Sequence, residues 1–173
     1  MKYVAFLRGI GPSNPNMHGS KLKMAAEAVG FKNVQTLLAS GNVIFESDSA
    51  DQAQIEAKLE QIWPAKLGFN SRTIVRSQAQ LQALVDKDPY KGAEHSNKKT
   101  YLLVTFFKSP PETPPAKNYY SVSGVNALCS TIDSSQLGTP DFMAKIDKQY
   151  GKDQITSRTY KTIQRILAKM QNT

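Results

Sequence analysis

Val34-Gln35-Thr36-Leu37-Leu38 and Val43-Ile44-Phe45-Glu46, either side of Ala39-Ser40-Gly41-Asn42, decide the fold. Each run is short and rich in β-branched, aliphatic or aromatic residues, the composition of a strand bounded by turn residues. Gly41 and Asn42 tolerate positive φ, so Ser40-Gly41-Asn42 reads as a turn and the two runs as a hairpin. On the N-terminal side, Leu22, Ala25, Ala26 and Val29 recur at helical spacing and make one apolar stripe. Gly30 suits the left-handed position just past a helix, with Phe31 as the hydrophobic residue behind it. Before that helix lies a loop, Gly9 to Gly19, in which Pro12 and Pro15 oppose both ladder and helix. Before the loop, Tyr3 to Leu7 reads as a strand. On the C-terminal side, Ser49 and Gln52 have capping-box spacing. Ile55, Leu59 and Ile62 give the second helix its apolar face, and Pro64 is expected to end or kink it. Arg72 to Arg76 is a fourth strand, with Thr73 and Val75 on one face and Ile74 on the other. The order β-α-β-β-α-β over residues 2–76 is the split βαβ pattern of a ferredoxin-like unit.

The remaining residues, 77–173, read as a second α+β subdomain of similar size, closely associated with the first, without a sequence repeat. Ser77 and Gln80 again have capping-box spacing, Leu81, Leu84 and Val85 form a stripe, and Asp88-Pro89 stops the helix. Thr100 to Phe107 is a long apolar strand. Ser109 to Ala116 contains four prolines and reads as a surface loop. Tyr119 to Ser123 and Val125 to Ile132 read as strands joined at Gly124. Asp141 to Tyr150 is a helix capped by Thr139 or Asp141 and ended by Gly151. A last helix is expected from about Thr156 to Met170, with Tyr160, Ile163, Ile166, Leu167 and Met170 as its apolar stripe.

Composition bounds the function only loosely. The chain has 173 residues and a net charge of +8, with 22 Lys and Arg against 14 Asp and Glu. Such a balance permits attraction to nucleic acid, anionic metabolites or acidic proteins and does not choose among them. The longest apolar runs are of strand length, well short of the ~20 residues needed to cross a bilayer as a helix, so no membrane association is expected. The single cysteine, Cys129, allows no intrachain disulfide; it reads as a buried thiol in a cytoplasmic protein.

Several chemistries find no support. His18 and His95 are isolated in polar sequence and read as solvated loop residues, so no metal is expected. Phosphate-loop, dinucleotide and nucleophile-elbow motifs are absent from the sequence, and no cofactor is expected.

Three constellations remain. At the end of the first strand, Arg8 and Gly9 enter a glycine-rich loop; Arg8 either serves a site on a rigid scaffold or simply meets solvent or a carboxylate. In the turn, Ser40, Gly41 and Asn42 offer donors to an anion, or form an ordinary hairpin connection. In Thr156-Ser157-Arg158-Thr159-Tyr160-Lys161-Thr162, the expected helix start carries Arg158 and Lys161 where the dipole favours negative charge. A bound anion or a carboxylate from elsewhere in the fold relieves that conflict; the alternative is a solvated face.

Taken together, these segments resemble a known family. Leu7-Arg8-Gly9-Ile10, then Gly30-Phe31-Lys32-Asn33-Val34, then Ser40-Gly41-Asn42-Val43-Ile44-Phe45 resembles the N-terminal signature of the domain-of-unknown-function 1697 family. Thr156 to Ile163 is similar to its C-terminal Thr-Thr-Arg-Asn-Trp-x-Thr-Val pattern, with Thr159 for the usual Asn and Tyr160 for the usual Trp. The loop Gly11 to Lys23 is longer than the usual family form. The resemblance implies a bacterial-type cytoplasmic protein of two α+β subdomains and no particular activity. It maps the family signature onto Arg8, Gly9, Ser40, Gly41, Asn42, Arg158 and Thr162. Three functional readings stand at this point. The first is binding of an anionic partner, nucleic acid or a small phosphate or carboxylate. The second is a small-molecule enzyme or sensor with a cleft between subdomains. The third is a purely structural role for the motif residues.

Overall fold

The computed structural model describes residues 1–11, 13–39, 41–96, 99–115, 117–133, 135 and 138–172. The chain divides into two compact units, Met1–Gln78 and Ala79–Asn172. The first unit runs β1 (Lys2–Leu7), α1 (Gly19–Ala28), β2 (Lys32–Thr36), β3 (Asn42–Glu46), α2 (Gln52–Leu67) and β4 (Thr73–Ser77). Its sheet has the order β2-β3-β1-β4, and every neighbouring pair is antiparallel. Each helical crossover therefore joins two strands with a third inserted between them, which is the ferredoxin-like arrangement.

Period-2 alternation sends Tyr3, Ala5, Leu7, Val43, Phe45 and Val75 into one core with the apolar stripes of the helices. The stripe of α2 differs from the one read in the sequence. It is Ile55, Leu59, Trp63 and Leu67, with Ile62 only partly buried. Pro64 does not end the helix, which continues to Leu67 and stops at Gly68 (φ 70°). Asp51, not Ser49, caps it, accepting from the Gln54 N–H at 3.0 Å. At the sheet edge, α2 also covers the unpaired side of β4. Glu56 Oε1 accepts from Val75 N at 2.8 Å and Glu60 Oε1 from Thr73 N at 2.9 Å. A free strand edge is thereby satisfied by two carboxylates one helical turn apart.

The second unit follows from β4 without a break through α3 (Gln78–Asp86), then β5 (Thr100–Phe107), β6 (Tyr119–Tyr120), β7 (Ala127–Asp133), α4 (Thr139–Tyr150), β8 (Ile155–Thr159) and α5 (Tyr160–Gln171). Its sheet order, β6-β7-β5-β8, is again wholly antiparallel. With β5 to β8 set against β1 to β4, the two units share one strand order. They differ at the first crossover. Where the first unit has α1, the second has residues 108–118, no described residue of which is helical.

Two sequence expectations are corrected here. The strand expected from Tyr119 to Ser123 stops at Tyr120 and gives way to a 3-10 turn, Val122–Gly124, with Ser123 at φ 56°. The helix expected from Thr156 begins only at Tyr160. Thr156 to Thr159 pair with Phe106 to Leu103 as strand β8. The run Thr-Ser-Arg-Thr has no strong helical preference, and a ladder with the long central strand outweighs it.

Cys129 is buried in β7, and burial pushes its thiol up to about 12. The free thiol ionises near 8.5, so the unfolded chain binds fewer protons than the folded one between those values. This contribution to stability is complete below about pH 8.5 and is lost as the pH rises toward 12. Urea unfolding measured from pH 8 to 11 is expected to show a shallower decline for Cys129→Ala than for the parent. In the folded protein the thiol is expected to resist a disulfide reagent at pH 8 and to react at once in urea.

Candidate functional site

The N-terminal motif residues come together at one end of the first sheet. Arg8 N donates to Arg72 O at 3.0 Å and to Ser71 Oγ at 2.9 Å, and Ser71 Oγ donates to Arg8 O at 2.7 Å. Leu7 N donates to Gly41 O at 2.9 Å, tying the end of β1 to the β2–β3 connection. Arg8 is half-buried and Gly9 exposed, with Gly9 at φ 80°. Ser40 lies outside the described residues.

Asn42 is not part of a turn. It is the first residue of β3, is 0% exposed, and its Nδ2 donates to Leu37 O at 2.9 Å while Leu37 N donates to Asn42 O at 3.1 Å. These bonds close the connection 37–41, and an anion in solvent does not reach this amide. Gly41 is buried at φ 68°, and a Cβ there would lie 3.0 Å from Leu7 Cβ and 3.1 Å from Met17 Cε. Both the backbone and the space require glycine. Gly41→Ala is expected to cost more than the ~1–2 kcal/mol of a left-handed residue alone. Gly9→Ala, with nothing within 4 Å of its Cβ, carries only that backbone cost. Thermal melts of the two variants check the order. Around Gly41 and Asn42, close packing and backbone hydrogen bonds take up the space and the amide.

A cavity of about 320 Å³ opens beside the start of α1, lined by Met17, His18, Gly19, Thr36, Leu38 and Ala39. His18 is exposed at the N-cap and makes no side-chain capping bond.

In the second unit, Arg158 is on β8, opposite Val104, rather than in a helical turn. Its Nη1 donates to Thr156 Oγ1 at 3.1 Å and to Ser157 O at 2.8 Å. The conflict with the helix dipole inferred for Arg158 does not arise; it remains for Lys161, in the first turn of α5. Thr159 is the N-cap, and its Oγ1 accepts from Thr162 N at 3.2 Å. Thr162 is thus absorbed in capping.

Lys161 borders a cavity of about 440 Å³ with Asp88, Glu94, His95, Tyr160 and Gln164 on its walls. His95 is a half-buried loop residue. Its Nδ1 accepts from Leu102 N at 3.1 Å, and its ring packs edge-on against Tyr101. Neutral His95 therefore carries its proton on Nε2. Tyr160 stacks at a tilt on Tyr90, 4.8 Å between ring centres, and burial, with Asp88 nearby, raises its hydroxyl above the usual range. The two carboxylates give this end of α5 mixed sign.

Along its outer side α5 is basic. Lys161 and Arg165 are exposed and Lys169 half-buried, while Tyr160, Ile163, Ile166, Leu167 and Met170 face inward. The helix contains no Asp or Glu. Among the described residues, neither Lys161 nor Arg165 has an ion-pair partner. Sequence reading missed two features that only folding reveals. Arg76 is 2% exposed in β4, donating to Val75 O at 2.6 Å. A cavity of about 680 Å³ is lined by residues from the proline-rich segment and the end of α4.

The fold defines a protein of two α+β units, each built on a four-stranded antiparallel sheet of the same strand order. The chain belongs to the family described as protein of unknown function (DUF1697), whose model matches residues 1–130. The C-terminal pattern around Arg158 lies beyond the matched residues. A solved structure, that of the conserved bacterial protein SP0830 from Streptococcus pneumoniae, is similar in fold, with a TM-score of 0.68 at 20% identity. The likeness covers 96% of this chain and 97% of that one. No curated protein sequence matches the chain. Among the described residues, no helix is long and apolar enough to cross a membrane, and no group of three or more His, Cys, Asp or Glu is placed to hold a metal ion.

Proposed function

We propose that the second unit binds an anionic polymer, single-stranded RNA in the first instance, along α5. The observation that carries this reading is the row Lys161, Arg165, Lys169 on a helix with no acidic residue. Residues four apart on a helix are about 6 Å apart along its axis, so the row presents cations at regular short intervals on one side. Such a row meets successive phosphates of a flexible strand without reading sequence. The net charge of +8 adds long-range attraction. A cytoplasmic setting goes with this reading, since one cysteine supports no intrachain disulfide.

Titration of the protein into fluorescently labelled single-stranded RNA, read by anisotropy, tests the reading. Saturable binding is expected at low salt. With three cationic contacts the logarithm of the affinity should fall against that of the salt concentration with a slope of about −2. Absence of saturable binding at low salt overturns it.

A further inference from the structure

The proline-rich segment 108–118 occupies the place in the second unit's strand order where a crossover helix stands in the first. Its prolines at 110, 111, 114 and 115 have no N–H to give a helix and hold φ near that of an extended chain. Among the described residues, only α4 packs a helix on Phe107 and Ile155. The cluster around Phe107, Ile146 and Ile155 stays small, and Tyr119, Leu128, Phe142 and Tyr150 are only partly buried against it.

Between the proline segment and the end of α4 lies a cavity of about 680 Å³, walled by Phe107, Tyr150, the prolines, Gln149 and Gln154. We propose that this cavity receives an uncharged planar heteroaromatic ring, a nucleobase, between the proline strap and the Phe107–Tyr150 wall.

The size lies inside the range of about 300–1,000 Å³ of small-ligand sites, whose walls are mostly apolar with a few polar groups. The wall is rigidly set: Phe107 meets Tyr150 edge-on, 5.0 Å between centres at 87°, and Tyr119 edge-on at 5.6 Å and 83°. Proline rings and aromatic faces offer flat apolar surface to a flat ligand. The uncharged polar side chains are the amides of Gln149 and Gln154 and the hydroxyls of Ser109, Thr113 and Tyr150. Gln149 Nε2 donates to the Tyr150 hydroxyl at 3.0 Å, which leaves that amide oxygen to accept. Gln154, exposed beside it, brings both a donor and an acceptor. Paired donors and acceptors are what the edge of a base presents in return. Glu112 is the one charged side chain in the lining, so a phosphate or carboxylate finds no cation inside. Lys108 and Lys152 adjoin the two lining segments in sequence.

The inference stands apart from the basic row of α5, because a nucleoside carries no phosphate. The test uses the full chain with adenosine, guanosine, cytidine and uridine, observed by saturation-transfer NMR and by shifts of the protein's own signals. At least one nucleoside is expected to receive saturation mainly on its base protons and to bind saturably. Gln154→Leu, an exposed change that leaves the core intact, and Tyr150→Ala should each weaken that binding at least fivefold. Lys161→Glu with Arg165→Glu should leave it unchanged. No transfer to any nucleoside up to about 10 mM, tenfold weaker than a millimolar site, overturns the proposal. Transfer concentrated on the ribose overturns it in favour of a sugar site. Binding indifferent to both cavity variants overturns it by placing the ring elsewhere.

Discussion

Glutamate in place of Lys161 and Arg165 is expected to weaken single-stranded RNA binding about 30-fold at low salt, roughly 2 kcal/mol. Each substitution removes one exposed attraction and introduces one repulsion, each about 0.5 kcal/mol at a solvated site. The loss should shrink toward physiological salt, where the Debye length falls to about 8 Å. Fold integrity is not at stake, since both side chains are exposed and have no ion-pair partner among the described residues. The matching control is Lys58→Glu with Lys66→Glu, exposed positions on α2 that change the net charge equally. Anisotropy titrations of both double variants separate a located surface from a diffuse one. Equal losses in the two would show that only net charge matters, and the assignment to α5 would fall.

Trp63→Ala is expected to destabilise the protein by about 3–5 kcal/mol, the cost of emptying a large aromatic site in a packed core. Trp63 is 0% exposed in the α2 stripe. Its Nε1 donates to Thr73 Oγ1 at 2.9 Å, so the residue also tethers α2 to β4. The tether reinforces the contacts of Glu56 and Glu60 with the same strand. Thr73 Oγ1 keeps a second partner, the Ser71 carbonyl at 3.3 Å, so losing the indole adds little beyond the cavity. Trp63→Phe keeps most of the apolar volume and loses the indole donor, and is expected to cost markedly less. Urea unfolding should be followed by far-ultraviolet circular dichroism, because Trp63 is the protein's only tryptophan and its replacement removes the fluorescence signal. A loss below about 1 kcal/mol for Trp63→Ala would mean that the core closes around the deletion.

The first unit was legible in the sequence because its elements are local and consistent. The stripe Leu22, Ala25, Ala26 has one helical period, and Gly30 adopts the positive φ (91°) that a helix stop asks for. The α2 stripe was read with Ile62 in place of Trp63 and without Leu67, which lies beyond Pro64. The partners that hold Trp63 and Leu67, Thr73 on β4 for the Trp63 indole and Asn16 for the Leu67 carbonyl, are distant in sequence and invisible to a propensity rule. Gly41 could be recognised as a turn glycine. That its Cβ would strike Leu7 and Met17 could not, since those residues are brought there by β1 and the loop after it.

By itself, then, the sequence determined the ferredoxin-like order of the first unit, the apolar face of α5 and the absence of any disulfide within the chain. Each of these depends on neighbours a few residues away or on composition. Tertiary structure decided whether Arg158 belongs to a strand or a helix, because Thr156 to Thr159 take their hydrogen bonds from Leu103 to Phe106, about fifty residues earlier. It also decided that Asn42 is buried in a strand, that His95 is held by Leu102, and that four prolines roof a cavity over Phe107 and Tyr150. Backbone hydrogen-bond demand and close packing are satisfied by whichever distant groups the fold delivers, and no local pattern encodes which groups those are.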